Sequence, residues 1–262
     1  MVSKLLEHFI LSSVVPFLGT TDNQFGFKAG HSTDQCTFLL KQTASYFVTH
    51  GSSVKAVFLD ASKAFDRVLH MKLFEKLIQR KVPMCFVHLL KHWYKEQTMQ
   101  IKWGKNFSEP LHVSNGARQR GVPSPYLIAV YLDDLSNELN NIKAGCYIGE
   151  VLLNHLMFAD DICVFCPSVR WLQQILDVCH AYAELHGIIL NCNKTVCMTF
   201  KAKSAKSTAT PLLRLGGQYV RSVDQYKYLG IVLDAETSYD KDIQRQLRYQ
   251  YCAANKLRGS LS

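Results

Sequence analysis

Three aspartates carry the strongest chemical signal in the chain. In "NHLMFADDICVF", residues 154–165, Asp160 and Asp161 stand side by side inside an apolar run, where an unpaired charge costs several kcal/mol. The apolar flanks leave no room for a solvated helical face. If the run is instead a hairpin, both carboxyls can reach one sheet edge at its turn. Aspartate is also a common turn residue, so an ordinary exposed turn is the competing reading. A third carboxylate, Asp60, ends a separate apolar run in "VKAVFLD" (54–60). Strand ends and a neighbouring hairpin turn can converge, and three carboxylates together supply oxygen ligands to hard cations such as Mg²⁺. Two such ions ~4 Å apart stabilise the attacking and leaving oxygens of an in-line phosphoryl transfer.

A second pair, Asp133 and Asp134 in "YLDDL", reads differently. Leu127, Ile128, Tyr131, Leu132, Leu135 and Leu139 keep helical period through "PYLIAVYLDDLSNELN", so these carboxylates are expected on a solvated helix face. Ser124 and Pro125 suit the N-cap and first turn of that helix. Cys163 and Cys166 form a C-x-x-C, but Cys192 and Cys197 lack the spacing of a second zinc-ligand pair. Nine cysteines, an odd number scattered from Cys36 to Cys252, are expected to be buried thiols in a reducing compartment.

The elements that would position these residues fit one α+β domain, with helices against an antiparallel sheet. "VKAVFLD" reads as a buried strand. Leu69, Leu73, Leu77 and Ile78 recur at helical spacing, "FVHLLKHWYKEQ" is another short helix, and "MQIKWGKNFSEPLHV" is a hairpin. "SVRWLQQILDVCHAYAELHG" is a helix with Gly187 past its C-terminus. "IILNCNKTVCMTF" is a strand around a polar turn, the Lys-rich "KAKSAKSTATP" is a connection, "YKYLGIVLD" is a last strand, and the basic tail is helical. At the N-terminus, Leu5, Leu6, Phe9 and Ile10 have core-facing helical spacing, and Glu7 and His8 oppose a signal-peptide reading. No stretch approaches the ~20 apolar residues of a membrane span. Thirty Lys+Arg against 21 Asp+Glu give a formal +9, compatible with an acidic partner such as nucleic acid or with a plain basic protein.

Six segments in a fixed order carry a resemblance: "SKLLEHFI" with "QFGFKAGHSTDQ", then "FLDASKAFD", "GARQRGVPSP", "FADD", "LNCNKT" and "YLGIVLD". The chain resembles the reverse transcriptase domain of non-LTR (LINE-type) retrotransposons. The resemblance implies a right-hand polymerase palm, with residues 1–52 as partial fingers, 53–235 as the palm with remaining fingers elements, and 236–262 as the start of a thumb. It implies two Mg²⁺ ions, with Mn²⁺ as a substitute, held by Asp60 and Asp160 with Asp161 in support. It implies an RNA template, a DNA primer and a deoxynucleoside triphosphate as partners, with no membrane, and an intracellular, nuclear setting.

By the same resemblance, Phe158 occupies the Tyr position of the Y-x-D-D box, and the literal Tyr131–Asp134 copy is a decoy. Phe65 matches the steric gate against a 2′-OH, with a core aromatic as the alternative. Ala61, Arg118 and Gln119 match nucleotide-contacting positions. Lys194 matches the lysine that approaches the triphosphate as proton donor, with plain surface charge as the alternative. Lys63 and Asp66 belong to the same signature as Asp60, and Tyr228, Leu229 and Gly230 match the primer grip. The chain departs from the pattern at Arg120, where the family has glycine, and at Pro123, where it has leucine. Arg120 is expected to crowd the nucleotide pocket, the alternative being that it reaches the triphosphate and partly substitutes for other cations. With the upstream fingers segment and most of the thumb not matched, a truncated or decayed copy is expected. The rival readings are a catalytically inactive remnant that still binds nucleic acid, and a structural protein with a chance carboxylate cluster.

Overall fold

Alternation along "VKAVFLDAS" builds two cores on opposite faces of one strand: Val54, Ala56 and Phe58 enter one, and Val57, Leu59 and Ala61 enter the other. The computed structural model describes residues 2–118, 121–202 and 212–260. The first half forms α1 (Val2–Val14), a 3₁₀ turn (Val15–Phe17), α2 (Thr33–Thr49), β1 (Val54–Ser62), α3 (Ala64–Arg67), α4 (His70–Gln79) and α5 (Met84–Lys95). A ribbon of short strands follows, β2 (Thr98–Met99), β3 (Lys102–Trp103), β4 (Asn106–Phe107) and β5 (Leu111–His112), and then α6 (Ser124–Asn141). Next come β6 (Cys146–Ile148), β7 (Val151–Leu153), β8 (His155–Phe158), β9 (Asp161–Cys166), α7 (Val169–Leu185), β10 (Ile189–Leu190) and β11 (Val196–Phe200). The chain continues through β12 (Arg214–Leu215), β13 (Gln218–Tyr219), β14 (Arg221–Val223), β15 (Gln225–Tyr228), β16 (Ile231–Asp234) and α8 (Asp240–Ser260).

The main sheet runs β14-β11-β1-β9-β8, with β10 pairing the far end of β1. All its pairs are antiparallel except β11–β14. One face packs against Ile10 of α1, Leu73 of α4, Leu90 of α5, Ile128 of α6 and Ile175 of α7. The other packs against Cys36, Leu40 and Ala44 of α2 and against Tyr228 and Leu233 of the β15–β16 hairpin. Each fully buried Leu, Ile or Phe contributes about 1.5–3 kcal/mol. The α2 start is fixed locally: Ser32 Oγ accepts from the Gln35 amide, and Gln35 Oε1 accepts from the Ser32 amide, closing a capping box.

Four readings of the sequence need correction. The buried stripe of α1 is Glu7, Ile10, Leu11 and Val14, whereas Leu5, Leu6 and Phe9 are exposed; a hydrophobic count could not nominate the charged Glu7. Ser124 is the first helical residue of α6, and its hydroxyl donates to the Arg118 carbonyl instead of capping. "YKYLGIVLD" is a hairpin, not one strand. Cys163 and Cys166 point to opposite faces of β9, because a spacing of three inverts the side on a strand. All nine cysteines are free thiols and six are buried.

The fourth correction concerns the second aspartate pair. Asp133 is only 4% exposed; it accepts from the Thr21 amide at 2.7 Å and pairs with Arg80. Asp134 pairs with Lys76, whose ammonium also reaches the Tyr182 hydroxyl. The pair therefore bolts α6 to α4 and to the segment after α1. Asp133→Ala is expected to destabilise the fold by about 3–5 kcal/mol, because it strands Arg80. Asp134→Ala leaves the Lys76 ammonium, its side chain only 7% exposed, to the Tyr182 hydroxyl, and is expected to cost a comparable amount. Urea unfolding midpoints of the two variants measure both.

Candidate active site

Register brings the first two carboxylates together: along β1 and β9, Asp60 pairs directly with Asp161. Asp160 occupies the turn between β8 and β9, next to them. The turn is strained, since Ala159 adopts φ 55°, a left-handed conformation that non-glycine residues avoid. Gln24 holds it there. Its Oε1 accepts from the Ala159 amide at 2.8 Å and its Nε2 donates to the Ala159 carbonyl at 3.2 Å. The adjoining backbone joins in, Phe25 donating to Met157 and Met157 to Asn23. Gly26 is required by space: a Cβ there would lie 2.2 Å from the Ala159 nitrogen. Behind β8, neutral His155, pushed down to about 3 by burial, bonds Ser136 and Asn154.

The acid cluster is electrostatically frustrated. Loss of hydration, then the charges of Asp160 and Asp60, push Asp161 up to about 6. Asp160 is raised too, by burial first and by the Asp60 charge after it, against a backbone hydrogen bond that lowers it. Ser62 Oγ donates to Asp60 Oδ2 at 2.8 Å, and the Asp60 amide donates to Thr195 Oγ1. Lys194 Nζ stands 3.9 Å from Asp60 Oδ2, with its own side chain 66% exposed. Among the described residues no three His, Cys, Asp or Glu side chains form a ready-made metal cage. The donor set at Asp60, Asp160 and Asp161, hard oxygens with mutual repulsion to relieve, suits a hard divalent cation.

The remaining candidates fall into three groups. Phe65 follows the Lys63 turn (φ 54°), is half-buried on the helical core, and its carbonyl accepts from the Ala117 amide at 2.6 Å. Ala61 has a buried side chain paired across to Leu190, so it offers a ligand only its backbone. The Arg118 guanidinium is 3.1 Å from Glu7 and lies over the Trp93 ring, which turns it toward α1; Gln119 and Arg120 lie outside the described residues. In the hairpin, Tyr228 is buried against Phe58 and Cys36 and supports the core, while Leu229 (φ 45°) and Gly230 (φ 91°) form the tip. Tyr226, unremarked in the sequence, stacks on Phe58 and is raised by burial and by Asp161 and Asp60, which puts this hairpin beside the acid cluster. Sequence reasoning also passed over Gln24, Gly26 and Glu7. The first two sat inside a recognised segment without a role, although a glycine between two phenylalanines was a signal of close approach.

Comparison with known proteins decides what this geometry belongs to. The family model "Reverse transcriptase (RNA-dependent DNA polymerase)" matches residues 1–233. The chain belongs to the reverse transcriptase family. The "Probable RNA-directed DNA polymerase from transposon BS" of Drosophila melanogaster is 28% identical over 271 residues, taking in 100% of this chain and 29% of that protein. The "RNA-directed DNA polymerase from mobile element jockey" of Drosophila funebris is 27% identical over 252 residues, 92% of this chain and 27% of that protein. With such transposon proteins as relatives, this is a LINE-type reverse transcriptase domain. It spans less than a third of the length of these curated relatives. A telomerase from Candida tropicalis, solved in complex with the TWJ fragment of telomeric RNA, superposes with a TM-score of 0.62 at 10% identity, over 88% of this chain and 36% of that one. That likeness identifies the fold of this reverse transcriptase domain as a polymerase palm. No described helix is long and apolar enough to cross a membrane.

Proposed function

We propose that the chain is the catalytic core of an RNA-directed DNA polymerase that extends a DNA primer on an RNA template. The observation that carries this reading is the in-register pairing of Asp60 with Asp161 beside the Asp160 turn, with Lys194 3.9 Å from Asp60. The primer 3′-hydroxyl gives up its proton to solvent as its oxygen bonds to the α-phosphorus of a deoxynucleoside triphosphate, and the bond to the pyrophosphate leaving group breaks. When bound at Asp60 and Asp160, with Asp161 in support, two Mg²⁺ ions, or Mn²⁺ in their stead, supply Lewis-acid stabilisation of the entering and departing oxygens. Ser62 holds the Asp60 carboxylate in one orientation. Lys194 carries a proton toward the leaving pyrophosphate and offsets its charge. Gln119 contacts the nucleotide, and the Leu229–Gly230 tip holds the primer end.

Phe65 closes the sugar side of the nucleotide site, so it selects by bulk. Phe65→Val is expected to raise ribonucleotide use relative to deoxynucleotide use about 10–100-fold, read as the ratio of kcat/KM values. The function itself is tested with purified chain, primed RNA and labelled deoxynucleotide. Incorporation that requires Mg²⁺ and stops on chelation supports it. Salt-sensitive nucleic-acid binding without incorporation contradicts it.

A further inference from the structure

We infer that Arg245, held by Asp242, is a positioning residue for the primer end: from α8 it braces the tip of the β15–β16 hairpin beside the acid cluster. The inference rests on the polymerase reading above. A helix ordinarily docks through an apolar stripe. Along residues 240–256 of α8 only Asp242 and Arg245 are shielded in part, whereas Ile243, Leu247, Tyr249 and Tyr251 are exposed. Both shielded side chains are turned on the hairpin. Asp242 Oδ1 accepts from the Val232 amide at 2.9 Å and from Arg245 Nε at 2.9 Å, and Arg245 Nη2 donates to the Gly230 carbonyl at 2.7 Å.

The tip needs such a brace. Tyr228 and Ile231 pair across a two-residue turn whose Leu229 and Gly230 both have positive φ, 45° and 91°. Leucine is strained there, since this kind of turn favours asparagine or aspartate before the glycine. The hairpin also faces the chemistry. Phe58 and Asp60 stand two residues apart on β1 and so share a face, and Tyr226 stacks on Phe58 with ring centroids 4.7 Å apart. The other end of the brace is anchored. Lys41 of α2, 3% exposed, donates to the Ser238 carbonyl at 2.9 Å and lies over the Tyr239 ring, 3.1 Å from its centroid. Asp234 accepts from the amide and the hydroxyl of Ser238, each at 2.9 Å. Helix α8 therefore leaves the core in a fixed direction, and Arg245 fixes the hairpin tip against it.

Two charge-matched variants separate positioning from plain attraction for nucleic acid. Arg245→Met keeps the aliphatic stem and removes the hydrogen bond to Gly230; Arg248→Met removes the same charge one turn further along α8, from an exposed position. With primer–template and deoxynucleotide saturating, the rate constant of single-turnover incorporation is expected to fall about 10–100-fold in Arg245→Met and to stay within about twofold of wild type in Arg248→Met. The primer–template Kd values of the two variants are expected to agree within about twofold. Arg245→Lys, which retains a donor for the Gly230 carbonyl, is expected to recover part of the rate. Equal rate constants in the two Met variants, whether Kd rises or not, would make Arg245 a surface charge and overturn the inference. A partly unfolded variant loses amplitude at an unchanged rate constant, and that result in Arg245→Met would overturn it too. Amide exchange at Val232 reports the brace without turnover: it is expected to quicken in Asp242→Ala, and unchanged exchange would remove the brace itself. If the wild-type chain incorporates no nucleotide, the polymerase reading fails and takes the primer role with it. The exchange result still stands, so the two failures are told apart.

Discussion

Asp160→Asn is expected to lower nucleotide incorporation by at least about 10³-fold while making the metal-free protein more stable. The first effect follows from removing a charged oxygen ligand at the centre of an electrostatically assisted transfer, worth about 3–4 kcal/mol or more at the transition state. The second follows from the frustration of the cluster, in which Asp160 and Asp161 are both raised by lost hydration and by neighbouring carboxylates. The pH dependence has a defined sign at Asp161. Its folded value, about 6, lies above the ordinary 3.8, so the folded state binds the extra proton between the two values. The destabilisation is absent below pH 3.8 and fully present above about pH 6. Asp161 is exposed in its strand, so solvent screening reduces the effect to about 1 kcal/mol, a shift of about 2–4 °C in a chain of this size. Melting curves in chelator at about pH 7.5 are expected to place both Asn variants above wild type, and the Asp161→Asn advantage is expected to shrink toward about pH 4.5. Added Mg²⁺ should raise the wild-type midpoint through preferential binding to the folded state, and should do less for Asp160→Asn. Equal midpoints and equal Mg²⁺ responses would contradict this account of the cluster.

Gly26→Ala is expected to reduce kcat about 10²-fold, although the residue bears no functional group. The added methyl would lie 2.2 Å from the Ala159 nitrogen and 3.0 Å from Gln24 Oε1, so either the turn or the glutamine must move. Moving Gln24 releases the pair of hydrogen bonds that hold Ala159 at φ 55°. Moving the turn displaces Asp160 directly. A misplacement of about 1 Å at a reacting centre costs rate on this scale, and overpacking costs about 1–3 kcal/mol of stability. Gly19→Ala is the matched control, because a methyl added at Gly19 would meet nothing within 4 Å and the backbone there is not left-handed; it should stay within about 0.5 kcal/mol of wild type. Steady-state incorporation and thermal melting of the two variants decide the matter, and an active Gly26→Ala would remove Gln24 and Gly26 from the site.

The parts of the site that were legible in the sequence share a short-range cause. The apolar run that ends at Asp60, and the apolar flanks of Asp160 and Asp161, singled out carboxylates that the fold brings together, Asp60 and Asp161 in register. The segment order identified the family. Long-range polar pairing was not legible. Helical period put Asp133 on the right helix, but nothing local announces Arg80 or the Thr21 amide, 53 and 112 residues away. Glu7 was hidden for the same reason: in a one-dimensional pattern a buried carboxylate looks like a solvated one. Its partners belong to a loop more than 110 residues away. Gln24 and Gly26 lay between these cases, in a segment recognised as a whole while the close approach to Ala159 was visible only in three dimensions.

On the proposed reading, Asp60 and the Asp160–Asp161 turn form one divalent-metal site. Affinity cleavage tests it most directly, with Fe²⁺ and ascorbate replacing Mg²⁺ and the backbone cuts mapped by mass spectrometry. Cuts are expected near both Asp60 and Asp160–Asp161, suppressed by excess Mg²⁺ and lost together in Asp60→Asn. Cuts at only one of the two segments, or at neither, would contradict it.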